Sequence, residues 1–157
     1  MAQLQDKVAL ITGGESGIGL AAARLFVREG AKVVLVGIEK ARLEAAAEEI
    51  GAENAVPAVA DVTDSDAVAA AVAAGVERFG RLDVVFSNAG ISGEVSEIVD
   101  YPSDVFARVL AVHMLGAFHV LKHTLGRMNE GGSVIIDRKS TRLNSSHSGE
   151  SRMPSSA

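Results

Sequence analysis

A chain of 157 residues that is 48% hydrophobic and 22% charged has enough apolar content for one domain and its core, which excludes general disorder. It has no cysteine, which excludes disulfides and thiolate metal sites, and its net charge of −5 offers no basis for nucleic-acid binding. No apolar run reaches membrane-spanning length, and Met1 to Thr12 lacks the basic-then-apolar pattern of a secretory signal, so a soluble cytoplasmic protein is expected.

Lys7 to Thr12 is a short, nearly continuous apolar run, as expected of a strand buried on both faces. A glycine-rich turn follows, then an Ala/Leu-rich helix from Ile18 to Arg28 closed by Gly30. Ala31 to Val36 reads as a second buried strand. Lys40 to Ile50 reads as a helix with Leu43, Ala46, Ala47 and Ile50 on one face. Ala55 to Ala60 is the third strand, and Thr63-Asp64-Ser65-Asp66 caps a helix running to about Phe79. Leu82 to Phe86 is the fourth strand. Pro102-Ser103-Asp104 opens a long helix over Val105 to Met128, and Gly132 to Ile136 is the fifth strand. Short apolar strands alternating with amphipathic helices predict an α/β fold, a doubly wound parallel sheet with right-handed crossovers.

The composition changes after Ile136. Residues 1–136 hold 11 basic and 18 acidic side chains, whereas residues 137–157 hold four basic and two acidic ones and half of the chain's 14 serines. No helical or strand period continues there. Asp137 to His147 (DRKSTRLNSSH) matches one reading frame of a widely used sequencing-library adapter. Ser151 to Ala157 matches its continuation, with Ser148-Gly149-Glu150 in the place of a sample index. The expectation is an incomplete dinucleotide-binding domain over 1–136 and a non-native, disordered tail over 137–157. The sheet would then stop at its fifth strand, leaving a bare edge.

The turn has the spacing Thr12-Gly13-x-x-x-Gly17-x-Gly19. Gly13 lets the chain leave the first strand tightly, Gly17 lets backbone approach a diphosphate, and Gly19 lets the helix pack closely on the strand. The helix N-terminus then offers free N–H groups to the phosphates. A glycine cluster alone is weak evidence, but this one sits between a buried strand and a helix inside a βαβ unit.

The string TGGESGIG resembles the TGxxxGIG pattern of the classical short-chain dehydrogenase/reductase family, and the resemblance covers Leu4 to Ile136 in register. It implies a Rossmann fold, NAD or NADP as cofactor, and hydride transfer to or from a small alcohol or ketone. It also implies a homo-oligomer. By this resemblance Gly13, Glu15, Ser16, Gly17, Ile18 and Gly19 hold the diphosphate end, with Ile38 after the second strand. Asp61-Val62 matches the family's adenine-contacting pair, and Ser87-Asn88-Ala89-Gly90 its NNAG motif, in which Asn88, Ala89 and Gly90 lie along the ribose and fix the central sheet. NAD-preferring relatives carry an acid at the end of the second strand, for the ribose 2′-hydroxyl. Here that end reads Gly37-Ile38-Glu39, with Glu15-Ser16 in the turn and no arginine where a 2′-phosphate would need one. Two nearby acids favour NAD, unless Lys40 or Arg42 reaches back.

Val112 to Phe118 resembles the family's VNxxGxF, with His113 in the place of the catalytic Asn. Histidine also donates and accepts hydrogen bonds, so His113 is the candidate catalytic residue; packing in a helix kink is the alternative. His119 and His123 lie four apart without an acidic partner and read as helix surface, with no metal expected. The family's Ser after the fifth strand and its Tyr-x-x-x-Lys are absent: Tyr101 is the one tyrosine, and Val105 stands four residues on. Inactivity of this chain as written follows. The rival reading is a non-catalytic dinucleotide sensor. A nucleotide-sugar enzyme of the extended type would show TGxxGxxG, which this chain lacks.

Overall fold

Both faces of Val8–Thr12, Lys32–Gly37 and Leu82–Ser87 are covered, which is why their apolar runs are continuous rather than alternating. The computed structural model describes residues 2–137, so the expected tail beyond Asp137 lies outside the described residues. The strands are β1 (Val8–Thr12), β2 (Lys32–Gly37), β3 (Ala55–Val59), β4 (Leu82–Ser87) and β5 (Met128–Ile136). They form one parallel sheet in the order β3-β2-β1-β4-β5. The helices are α1 (Gly17–Arg28), α2 (Lys40–Ile50), α3 (Ser65–Phe79), α4 (Ser103–Leu110) and α5 (Gly116–Thr124). The expected doubly wound α/β architecture is therefore present.

Side chains alternate across the sheet. Leu10, Val34, Val36 and Val85 pack with Val68, Ala71 and Val72 of α3 and Val120 of α5. Ala9, Ile11, Val33 and Leu35 pack on the other face with Ala23 of α1 and Leu43, Ala46 and Ala47 of α2. The small helix residues let the helix backbones approach the sheet. On the outside, Arg24 donates two hydrogen bonds to Glu49, at 2.7 and 2.8 Å, tying α1 to α2.

Three expectations change. The long helix is not uniform: a π-helical turn, Ala111–Leu115, separates α4 from α5, and a 3-10 turn, Leu125–Arg127, ends it. β5 begins at Met128, not Gly132, because Met128 pairs with Leu82 before the chain bulges out and Ser133 pairs with Val84. No strand pattern in Asn129-Glu130-Gly131 announces this tertiary pairing. Lastly, the helix Ser103–Arg127 is, by length and composition, apolar enough to cross a membrane, with a mean hydropathy of 1.5 over an 18-residue stretch. Arg108, His113 and Lys122 interrupt the apolar run in the sequence. In the fold, Gly116, His119, Val120 and Thr124 are buried on the inner side, while Phe106, Leu110, Met114 and Phe118 form an exposed apolar stripe. β5 lies at the sheet edge and is exposed along nearly its whole length.

β1 and β4 are fastened to each other at both ends. At the N-terminal end, the buried Asp83 carboxylate accepts from the Val8 N–H at 2.9 Å and from Asn129 Nδ2 at 2.9 Å, and pairs with Arg81 at 3.2 Å. Burial pushes this carboxyl up, but the bonds from Asn129 and Val8 and the charges of Arg81 and Lys7 together outweigh it and hold the group below its ordinary value. At the C-terminal end, Thr12 Oγ1 accepts from the Asn88 and Ala89 N–H groups, each at 2.9 Å, and Asn88 Nδ2 donates to the Thr12 carbonyl at 2.9 Å.

Both fastenings can be tested. A carboxyl whose folded pKa is depressed contributes stability above its unfolded pKa, and loses it as pH falls from there through the folded value. Urea midpoints should therefore drop below about pH 4, and Asp83→Asn should be weaker at neutral pH with a flatter acid limb. An acid limb as steep as the parent's would refute the role. Thr12→Val keeps shape but strands two amides, so a loss of roughly 2–6 kcal/mol is expected at about 1–3 kcal/mol each. An unchanged urea midpoint would refute it.

Candidate functional site

The strand order reverses between β1 and β4, so their outgoing chains part and leave a crevice beyond the carboxyl ends of the strands, where doubly wound sheets bind ligands. A cleft of about 330 Å³ lies there. Its floor is the turn after β1 together with Asn88, Ala89 and Gly90 after β4. One wall is Gly37 and Ile38 after β2 with Ala60 to Thr63 after β3, and the roof is Arg108, Ala111 and Val112.

The turn is shaped by two left-handed glycines, Gly13 (φ +65°) and Gly17 (φ +51°). Nothing lies within 4 Å of the place where a Cβ on Gly17 would sit, so that backbone faces open space. Ser16 makes no side-chain cap and the first turn of α1 has no acid, so the first N–H groups of α1 receive no side-chain cap where Ser16, Gly17 and Ile18 line the cleft. α3 is the contrast: Asp64 caps it, accepting from Asp66 and Ala67 N–H at 2.9 and 3.0 Å.

The sequence-predicted residues Gly13, Glu15, Ser16, Gly17, Ile18, Ile38, Asp61, Val62, Asn88, Ala89 and Gly90 all line the cleft. Gly19 does not. A Cβ there would strike the Gly13 carbonyl and come within 2.8 Å of Asn88 Nδ2, so Gly19 packs against the turn itself and not against the strand, as first expected. Asp61 Oδ1 accepts from the Thr63 N–H and hydroxyl at 2.8 and 2.7 Å, which folds the turn after β3.

His113 sits in the π-helical turn and does not line the cleft. Its Nε2 lies 2.8 Å from the Ile91 carbonyl and 3.2 Å from the Ile91 N–H, so it donates in one tautomer and accepts in the other. It thereby holds the segment after Asn88-Ala89-Gly90 against the helix. His119 and His123 are not free helix surface, which corrects the sequence reading. His119 is buried and its Nδ1 donates to the Val62 carbonyl at 2.9 Å, while His123 Nε2 pairs with the Ser65 hydroxyl at 2.9 Å. No group that could hold a metal occurs among the described residues.

Gly37, Ala60, Thr63, Ile91, Arg108, Ala111 and Val112 line the cleft but were not singled out from sequence. Arg108, Ala111 and Val112 are spaced as one helix face, which is a usable signal, but no local motif says that this face closes over β4. Lys40 pairs with Glu44 at 3.7 Å and Arg42 with Glu39 at 3.0 Å. Both cations are thus engaged within α2 or at its cap.

Two buried oxygens of residues that line the cleft, Asn88 Oδ1 and Glu15 Oε2, have no hydrogen-bond partner among the described residues. Uncapped helix N–H groups, a side-chain-free approach at Gly17 and unpaired acceptors beside it suit a ligand with a diphosphate and polyhydroxyl groups. A nicotinamide dinucleotide has both.

Known proteins agree with this geometry. The family model for short chain dehydrogenase matches residues 7–145. Short-chain dehydrogenase reductase 3c of Arabidopsis thaliana is 41% identical over 131 residues, covering 83% of this chain and 51% of that protein. Momilactone A synthase of Oryza sativa subsp. japonica is 43% identical over 136 residues, covering 85% and 50%. The structure of NAD+-bound xylitol dehydrogenase matches with a TM-score of 0.77 at 39% identity, over 80% of this chain and 49% of that one. Levodione reductase matches with a TM-score of 0.79 at 38% identity, over 84% and 54%. This chain spans about half the length of these relatives. It belongs to the short-chain dehydrogenase family.

Proposed function

We propose that this chain carries the dinucleotide site of an oxidoreductase that uses NAD in preference to NADP and acts on a small alcohol or ketone. The observation that carries the reading is the cleft at the strand-order reversal, floored by the Gly13–Gly19 turn and the uncapped start of α1. A nicotinamide dinucleotide held there would supply hydride transfer to or from an alcohol/carbonyl pair. The residues present would do the holding. The α1 N–H groups and Gly17 take the diphosphate, Ile38, Asp61 and Val62 flank the adenosine, and Asn88-Ala89-Gly90 line the route toward the reacting end. His113 stands where the family has its active-site Asn. In this reading it positions the Gly90–Ile91 backbone and joins the proton path of the longer enzyme.

In the same reading the longer enzyme is cytoplasmic and homo-oligomeric, and the exposed stripe Phe106, Leu110, Met114 and Phe118 supports association with further copies. In this reading the adapter match makes residues 137–157 foreign to it, although the family match runs on to residue 145.

This chain by itself would bind without turnover. Tyr101 is its one tyrosine, and the Tyr101 hydroxyl accepts from the Glu94 N–H at 3.1 Å, which makes it a loop anchor. The same observation favours a second reading, a dinucleotide-binding protein with no catalysis. The coding sequence beyond Ile136 separates the two. A Ser soon after the strand followed by Tyr-x-x-x-Lys supports the enzyme, and the tail as written supports the binder.

Calorimetric titration of the full chain with NAD+ should give one saturable site, with no reduction of NAD+ in the presence of secondary alcohols. No binding would overturn the site, and steady reduction would overturn the inactivity.

A further inference from the structure

The end of β2 is where a doubly wound sheet commonly presents a carboxylate to the ribose 2′-hydroxyl. Here that position is Gly37, which has no side chain. The space is nevertheless filled. The Glu15 side chain folds back from the turn across Gly37, and a Cβ built on Gly37 would fall onto the Glu15 carboxylate. Glu15 Oε1 accepts from the Ile38 N–H at 3.2 Å, which fixes the carboxylate at the end of β2. Glu15 Oε2 is buried and has no partner among the described residues, and Glu15, Gly37 and Ile38 all line the cleft.

We propose that Glu15 is the specificity-determining residue of this site, selecting a dinucleotide with a free ribose 2′-hydroxyl over one bearing a 2′-phosphate, and that Gly37 is the gap that admits it. The acid arrives from the glycine turn and not from the strand end. Its open acceptor, Oε2, suits a hydroxyl donor, whereas a phosphate brings up to two negative charges and no donor in its fully ionised form. The neighbouring charges lie at or within the first turn of α2. Glu39 lies 3.0 Å from Arg42, and Lys40 3.7 Å from Glu44, on the exposed side of that turn. The two positions are sterically coupled, because any side chain at Gly37 displaces the Glu15 carboxylate.

The inference rests on the dinucleotide reading above, and direct binding separates the two. Dissociation constants for NAD+ and NADP+ would be measured on the full chain and on Glu15→Gln, Gly37→Ala and Glu15→Ala/Gly37→Asp, each checked for folding by thermal melting. Glu15→Gln keeps the shape and the Ile38 contact but removes the charge. It should lower the NAD+ over NADP+ preference by about tenfold or more, largely through tighter NADP+ binding. Gly37→Ala should lower the preference in the same direction by evicting the carboxylate. The double variant, with its acid returned to the strand end, should restore it. A preference within about twofold of the parent's in both single variants would overturn the role of Glu15. Failure of the parent chain to bind either dinucleotide would instead overturn the underlying reading.

Discussion

The site depends on one short set of hydrogen bonds, between Thr12 at the end of β1 and Asn88 just past the end of β4. These two strands are neighbours in space but 76 residues apart in sequence. They flank the point where the strand order reverses, so the chain leaves them in diverging directions and a crevice opens between. Without a cross-link the two exits could move independently. Thr12 Oγ1 takes two successive amides after β4, and the Asn88 amide group returns a bond to the Thr12 carbonyl. The turn that approaches a ligand from one side and the segment that lines it from the other therefore hold a set separation. Asn88 Oδ1 stays unpaired behind this arrangement.

The sheet was legible in sequence because burial on two faces leaves a trace that needs no partner to interpret: a run such as Val33-Val34-Leu35-Val36 suits a short strand covered on both sides. The glycine turn was legible because left-handed φ at Gly13 and Gly17 restricts the residue type. The cleft roof was not. Arg108, Ala111 and Val112 stand about 20 residues beyond the Asn88 segment, and only tertiary packing brings them over it. The two later histidines were misread for the same reason. Spacing of four puts His119 and His123 on one face, but says nothing of the Val62 carbonyl and Ser65 hydroxyl that receive them. Nor does the order of residues show that Glu15 would lean across to β2, since that contact spans two separate loops.

The helical roof and the wall after β3 are also joined. Gly116, at the start of α5, lies so near Val62 that an added Cβ would come within 3.0 Å of the valine Cβ, and His119 bonds to the same residue's carbonyl. His113 ties the preceding turn to Ile91. One helical segment is thereby anchored to the wall after β3 and to the segment after β4, and a displacement of α5 would be felt at each.

The π-helical turn Ala111–Leu115 acts as a length gauge within that segment. Such a turn accommodates one residue more than an α-helical path between the same points. Deleting one residue there would close an unbroken α-helix and leave Ser103–Leu110 and α5 in nearly their present phase, whereas deleting one from the α-helical stretch on either side would turn the two parts against each other by about 100°. In that second case Arg108 would swing off the cleft and the apolar stripe would be split between two sides of the rod. Sequences related to this one should therefore tolerate loss of one residue within the turn better than loss of one in either flanking helix.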